Sequence, residues 1–341
     1  MIVPLSSRRV PNVLTLADLA KIAGVSVATV SRSLAGSGLI SEATRERVVA
    51  LAREHGFQVN QSARNLRLKR TGAIGVVLPL GHEADQHLSD PFFMSLLGPL
   101  ADAVADRGYD LLLSRVIPKD DRWLDRIVDA GRVDGTVVIG QSDQIEAIDR
   151  VAQRYRPMIV WGAASPDLAQ ITVGSDNVAG GRLAAEHLLA QGRTRLAFFG
   201  NPEVPEFAAR LLGFQEALAA SGKREGTVLP VHLTSDSSYS AINEFLGQNP
   251  SPDGVVAASD VIAMSALRAL ADRGRRVPQD VGVVGYDDVL IATHTTPPLT
   301  TIRQDVVRGA KLIIDLLFDR IEGIDVASVS MPPELVLRGS A

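Results

Sequence analysis

An all-α N-terminal headpiece joined to an α/β body of two doubly wound parallel sheets is the architecture the sequence predicts, on three observations. Residues 15–70 hold three short amphipathic stretches punctuated by glycine and end in the basic run Ala63-Arg64-Asn65-Leu66-Arg67. From Gly72 onward, short continuous apolar runs alternate with helix-length amphipathic segments. Charge divides along the same line: residues 1–70 carry eleven Lys/Arg against four Asp/Glu, a net +7, and the remainder carries 24 against 35, a net −11. With 341 residues, 46% of them hydrophobic, the chain can bury more than one core.

In the headpiece, Leu16, Leu19, Ala20 and Ala23 share one helical face, and Gly24 breaks the run. Ser26 can cap a second helix in which Val27, Val30 and Leu34 repeat at helical spacing. A third helix starts with Ser41 as its cap, turns Val48, Leu51 and Ala52 inward, and stops at Gly56. Two short helices joined at a glycine form the arrangement that lays its second helix in a DNA major groove. The pattern alone also fits a small helical bundle of another purpose. The one-sided charge favours DNA, since a basic end meets the polyanion and releases its counterions while an acidic body is repelled.

In the body, apolar runs at Ile74–Leu78, Asp110–Leu113, Thr136–Ile139, Met158–Trp161, Ile171–Val173, Leu196–Phe199, Val255–Ala258 and Val281–Val284 read as strands. Helical stretches fall at about 92–106, 121–130, 143–154, 178–191, 206–221, 237–247, 260–273 and 304–322. Continuous apolar strands separated by helices specify parallel sheets covered on both faces. So many units imply two sheets, with a cleft between them at the strands' carboxyl ends.

Composition removes several function classes. There is no cysteine, hence no disulfide framework, thiolate metal site or cysteine nucleophile. No apolar run approaches the ~20 residues of a membrane span. The start, Met1 to Val10, lacks the long apolar stretch of a secretory signal, so a cytoplasmic protein is expected. The six histidines (55, 82, 87, 187, 232 and 294) show no tight metal spacing. No glycine-rich dinucleotide or phosphate loop and no nucleophile elbow are found, so neither enzyme chemistry nor a cofactor or metal is expected.

Val25-Ser26-Val-Ala-Thr-Val-Ser-Arg32, Thr44-Arg-Glu-Arg-Val48, Ala63-Arg-Asn-Leu66, Gly285-Tyr-Asp-Asp288 and Pro297-Pro-Leu-Thr-Thr-Ile-Arg-Gln-Asp305 together resemble the lactose/galactose repressor family. They span nearly the whole chain in the family's order. The resemblance implies a dimeric transcription regulator: a helix-turn-helix headpiece, a hinge helix, and a type I periplasmic-binding-protein-like core that binds a small effector. It divides the chain into an arm (1–14), a headpiece (15–58), a hinge (59–71) and a core (72–341). Within the core, the N-subdomain takes about 72–174 and 306–332, and the C-subdomain about 175–303 and 333–341.

For the headpiece the resemblance implies DNA contacts from Thr15, Ser26, Val27, Ala28, Ser31, Arg32 and Ser41. Arg32 can grip guanine O6 and N7, Val27 and Ala28 can offer only apolar contact, and hydroxyls at helix starts can meet phosphates. Thr15 and Ser41 can equally be plain caps. In the hinge it implies contacts from Asn60, Arg64, Leu66 and Arg67, with Leu66 as a minor-groove wedge. For the core it implies effector contacts from Phe92, Phe93, Arg210, Ser259, Asp260 and Asp287. Either Phe can instead be core, and Asp260 can be only a helix cap.

Two departures bear on the effector: Leu233 stands where relatives often carry an aromatic, and Gly162 follows Trp161 where a strand often ends in an acid. Without that aromatic the site suits a saccharide better than a purine, so a sugar-switched repressor of carbohydrate genes is expected. A purine-type corepressor-dependent regulator is the alternative. A transport-associated solute-binding protein would share the core, but would need a secretory signal and lack residues 15–70. With no heptad repeat after the last helix, a homodimer on a pseudo-palindromic operator is expected.

Overall fold

The computed structural model describes residues 15–34, 36, 38–57, 70–80, 88–141, 144–222, 226–231, 235–247 and 252–341. The chain forms two units, Met1–Arg70 and Thr71–Ala341.

In the first unit α1 (Leu16–Ala23) opens with a reciprocal cap: the Asp18 amide donates to Thr15 Oγ1 at 3.2 Å, and the Thr15 amide donates to Asp18 Oδ2 at 3.1 Å. Gly24 closes it in the left-handed region, φ 65°, its amide reaching the Ala20 and Lys21 carbonyls. The chain turns there into α2 (Val27–Leu34), whose cap Ser26 accepts the Thr29 amide at 3.1 Å. α3 (Glu42–Glu54) follows, and Arg47 donates to the Ala23 carbonyl at 3.1 Å, tying α3 to the end of α1. Leu19, Ala20, Ala23, Val30, Val48 and Ala52 form the core of this unit. Val27, the first residue of α2, is 46% exposed, as a base-facing position requires, while Val30 is buried. One expectation shifts. Ser41 sits at the cap position of α3, but its hydroxyl donates to Thr44 Oγ1 at 2.9 Å and caps no backbone amide.

The second unit runs β1 (Ala73–Pro79), α4 (Pro91–Asp106), β2 (Asp110–Val116), α5 (Trp123–Val128), β3 (Gly135–Ile139), α6 (Ile145–Ala152), β4 (Met158–Trp161) and β5 (Thr172–Ser175). It continues with α7 (Asn177–Ala190), β6 (Leu196–Phe199), α8 (Pro205–Ala220), β7 (Thr227–Leu229), α9 (Ser235–Leu246), β8 (Gly254–Ala257) and α10 (Asp260–Asp272). β9 (Gly282–Asp287), β10 (Thr300–Arg303), α11 (Val306–Ile321), β11 (Val329–Met331) and β12 (Glu334–Val336) complete it.

The strands form two six-stranded sheets, β11-β5-β4-β3-β1-β2 and β12-β10-β9-β8-β6-β7. Pairing is parallel except for β12, which runs antiparallel on β10. The central strands are apolar but for the buried Thr136 and are buried on both faces, as two-sided helix cover requires. Each sheet has its own core: Phe198, Phe214, Ile262 and Val283 sit in the second lobe, Leu96, Val137, Ile159 and Ile314 in the first.

The chain passes between the lobes three times. It crosses at Asp176 between β5 and α7, at Gln304–Asp305 between β10 and α11, and at Pro332–Pro333 between β11 and β12. The Asp176 amide donates to the Met331 carbonyl at 2.8 Å, joining the first crossing to the third. Among the described residues no helix is long and apolar enough to cross a membrane.

Candidate functional site: a basic headpiece face and an interlobe cleft

On α2, Val30 and Ser33 face the core, while Val27, Ala28 and Arg32 are exposed and Ser31 is half-exposed. This leaves one basic residue and two small apolar ones on a free helical face, the chemistry of major-groove readout. The hydroxyls of Thr15, Ser26 and Ser41 stand at the starts of the three helices, each paired locally, with Asp18, Thr29 and Thr44. The Thr15 hydroxyl and amide hold the Asp18 carboxyl below its ordinary range. Asn60, Arg64, Leu66 and Arg67 lie outside the described residues, as does Leu233.

In the second unit a cleft opens between the lobes at the carboxyl ends of the strands, where doubly wound sheets place their ligands. Its empty space, open mouth included, is ≈ 710 Å³. The first lobe contributes Pro79 from β1, Asp90, Phe92 and Phe93 from the start of α4, Ile139 and Gly140 from β3, and Trp161 from β4. The second contributes Glu206, Phe207 and Arg210 from α8, with Ser259, Val261 and Asp287, and Gln304 stands at a crossing.

Of the residues singled out in the sequence, five line this cleft together: Phe92, Phe93, Arg210, Ser259 and Asp287. Phe93 also belongs to the first lobe's core, so its two readings coexist. Asp260 does not line the cleft. Its side chain is 0% exposed, accepting the Thr301 hydroxyl at 2.6 Å and the Val289 amide at 2.9 Å, and Ser259 is the cap of α10. Asp260 therefore holds the turn after β9 from behind.

Arg210 is 5% exposed and heavily engaged. Its Nε donates to Asn177 Oδ1 at 2.9 Å, a terminal nitrogen reaches the Ala258 carbonyl, and the guanidinium lies 3.6 Å from the Tyr286 ring centroid. A terminal nitrogen stands 3.9 Å from Asp287 Oδ1. α7 and α8 must touch for this, and glycines allow it: a Cβ at Gly181 would lie 1.9 Å from the Arg210 carbonyl oxygen, one at Gly213 1.8 Å from that of Val178.

Asp287 sits at φ 113°, strained for a residue with a side chain. Asp288 beside it is locked by Arg303 at 2.7 Å and Arg338 at 2.5 Å, which helps fix the turn. Burial pushes the Asp287 carboxyl up to about 7; Arg210 and Gln304 oppose that rise, and Asp90 adds to it. Gln304 Nε2 donates to Asp287 Oδ1 at 2.6 Å. Burial raises Glu206 as well, against the pull of its own backbone amide, of Arg210 and of the Gln141 amide across the cleft.

Trp161, Glu206, Phe207 and Gln304 were not singled out. Trp161 ends a strand of a doubly wound sheet, a signal available in the sequence; the others meet the cleft only through the topology. Gly162 has a structural reason. A Cβ there would lie 2.7 Å from the Gln141 carboxamide, which exchanges hydrogen bonds with Ala163 at 2.9 and 3.1 Å. Among the described residues no group of three His, Asp or Glu side chains is placed to hold a metal.

Residues 15–60 match the family described as bacterial regulatory proteins, lacI family, and residues 185–341 match the periplasmic binding protein-like domain. Over 336 residues, 95% of each chain, the sequence is 34% identical to the HTH-type transcriptional regulator CelR of Thermobifida fusca. The chain belongs to the LacI family. As a LacI-family protein it is a DNA-binding transcriptional regulator. It is also 30% identical to the transcriptional repressor CytR of Escherichia coli K12, over 96% of each chain. Among solved structures it resembles a CelR–cellobiose complex, with TM-score 0.70, 31% identity, and coverage of 96% of this chain and 99% of that one. It likewise resembles the Lac repressor dimer bound to operator and the anti-inducer ONPF, with TM-score 0.83, 26% identity, and coverage of 96% and 98%.

Proposed function

We propose that this LacI-family chain is a dimeric, cytoplasmic, non-enzymatic repressor of carbohydrate-utilisation genes, switched by a small neutral saccharide held between its lobes. The observation that supports it is the cleft's composition: aromatic faces from Phe92, Trp161 and Phe207 beside the hydrogen-bonding groups of Asp90, Glu206, Arg210, Asp287 and Gln304. Aromatic faces pack on the apolar side of a sugar ring, and carboxylates accept from its hydroxyls. Arg210 is the one cation among the described lining residues, and its Nε and one terminal nitrogen are already engaged. A phosphorylated sugar or a nucleotide would set its charge against three carboxyl groups. Cellobiose in the CelR structure and ribose in a LacI-family regulator from Enterococcus faecium are ligands of the same kind.

In this reading Phe92, Phe93, Arg210, Ser259 and Asp287 contact the effector, and Val27, Ala28 and Arg32 read the operator. A melting-temperature screen against ribose, glucose, galactose, cellobiose, their phosphates and purine bases tests it, with gel shifts on the operator for each hit. A ligand at ~100 times its dissociation constant adds about 2.7 kcal/mol of stability. A response confined to sugar phosphates or purines would overturn the saccharide reading.

A further inference from the structure

We propose that Asn177 is a positioning residue that couples the effector-facing arginine to the crossing between the lobes. The proposal rests on the interlobe cleft being the effector site and adds how occupancy leaves it. Asn177 is 5% exposed, does not line the cleft, and stands one residue beyond the first crossing. Its carboxamide faces two ways. Oδ1 accepts from Arg210 Nε at 2.9 Å, and Nδ2 donates to the carbonyl of Ser175 at 3.2 Å, the last residue of β5 in the first lobe. One group thus accepts from the second lobe's effector arginine and donates to the first lobe's sheet. A carboxamide supplies both a donor and an acceptor at this reach, which a carboxylate does not.

Two further observations place this bond where motion is transmitted. Asp176, between Ser175 and Asn177, donates its amide to Met331 at 2.8 Å, so the bond acts on the first and third crossings together. Gln304 repeats the device at the second crossing, donating to Asp287 at 2.6 Å. Each member of the Arg210–Asp287 pair is therefore tied by a carboxamide to a different crossing. The close contact of α7 with α8 at Gly181 and Gly213 fixes the separation of the backbones that carry Asn177 and Arg210, so the bond between the two side chains spans a set distance. An effector that engages Arg210 and Asp287 changes the crossings' preferred geometry by its differential affinity for the two lobe arrangements.

The test needs no ligand and uses the full chain. Amide hydrogen exchange is followed in peptides covering residues 172–178 and 328–332 in wild type, Arg210→Met, Asn177→Asp and the double variant, with Ile74–Leu78 as the control for global opening. Asn177→Asp keeps the acceptor for Arg210 and removes the donor to Ser175. Asn177→Ser, which gives up both bonds without adding charge, is the second variant should the first fail to fold. Arg210→Met is expected to speed exchange at the crossings by about tenfold, the loss of one hydrogen bond to a charged group. In the Asn177→Asp background the same change adds less than twofold. Exchange that changes only around Ala258 and Gly285–Asp288, or effects that simply add in the double variant, would overturn the proposal. Cellobiose serves as a separate probe: if it neither shifts the wild-type melting temperature nor alters operator binding, the choice of effector fails and the exchange result stands.

Discussion

Asp287 meets two conflicting demands, burial and interaction with charge. Its carboxyl lies about 7 rather than at its ordinary 3.8, chiefly because burial penalises the anion. The folded state therefore holds this proton longer than the unfolded chain, and the group's contribution to stability falls as pH rises from 3.8 to about 7. Under the proposed saccharide reading, effector hydroxyls that donate to the carboxylate would favour the ionised form. Effector affinity should then climb by up to about tenfold between about pH 6 and about pH 8, with proton release on binding. Calorimetry in buffers of different ionisation enthalpy reads both effects, and Asp287→Asn should flatten them. Asp260 behaves differently because it touches protein on both oxygens. Asp260→Ala leaves the Thr301 hydroxyl and the Val289 amide unpaired, which should cost about 1–3 kcal/mol in urea unfolding and weaken the effector only through the Asp287 turn.

At the scale of elements, the crossing of α7 with α8 positions the arginine. A Cβ at Gly213 would meet the Val178 carbonyl at 1.8 Å, and a helix backbone has no rotamer to yield. Gly213→Ala should therefore cost ~1–3 kcal/mol of overpacking or more, read as a lower melting temperature, and displace Arg210 enough to abolish effector binding. Arg32→Ala on α2 should leave the fold alone and lose about 1–3 kcal/mol of base discrimination in competition gel shifts. What the sequence made legible follows the same physics. β3, β4, β6 and β8 were visible because two-sided burial demands unbroken apolar runs. β7, β11 and β12 were not, being three residues long and only partly buried, and β10 was hidden because it carries Thr300, Thr301 and Arg303. Arg210, Ser259 and Asp287 were named through the family resemblance and meet in one cleft. Glu206, Phe207 and Gln304 were not, because only the juxtaposition of two lobes brings them to one cleft.

At the scale of the molecule, the charge division and the packing agree on where each activity resides. The headpiece core of Leu19, Val30 and Val48 belongs entirely to the first unit, and the two lobes have clusters of their own. Among the described residues, each hydrophobic cluster is drawn from one unit. Residues 1–70 carry +7 and the remainder −11, so affinity for a polyanion must come from the headpiece against repulsion from the core. A chain of residues 71–341 alone should thus fold, show the same effector-induced rise in melting temperature as the full chain, and lose operator binding. In the full chain, operator affinity should fall linearly with salt on logarithmic axes; at 6–10 phosphate contacts the loss is roughly 10³–10⁵ between 50 and 200 mM salt. Fluorescence anisotropy on a labelled operator measures both. Operator binding by the truncated chain, or a salt slope near zero in the full one, would assign recognition to a surface other than the basic head.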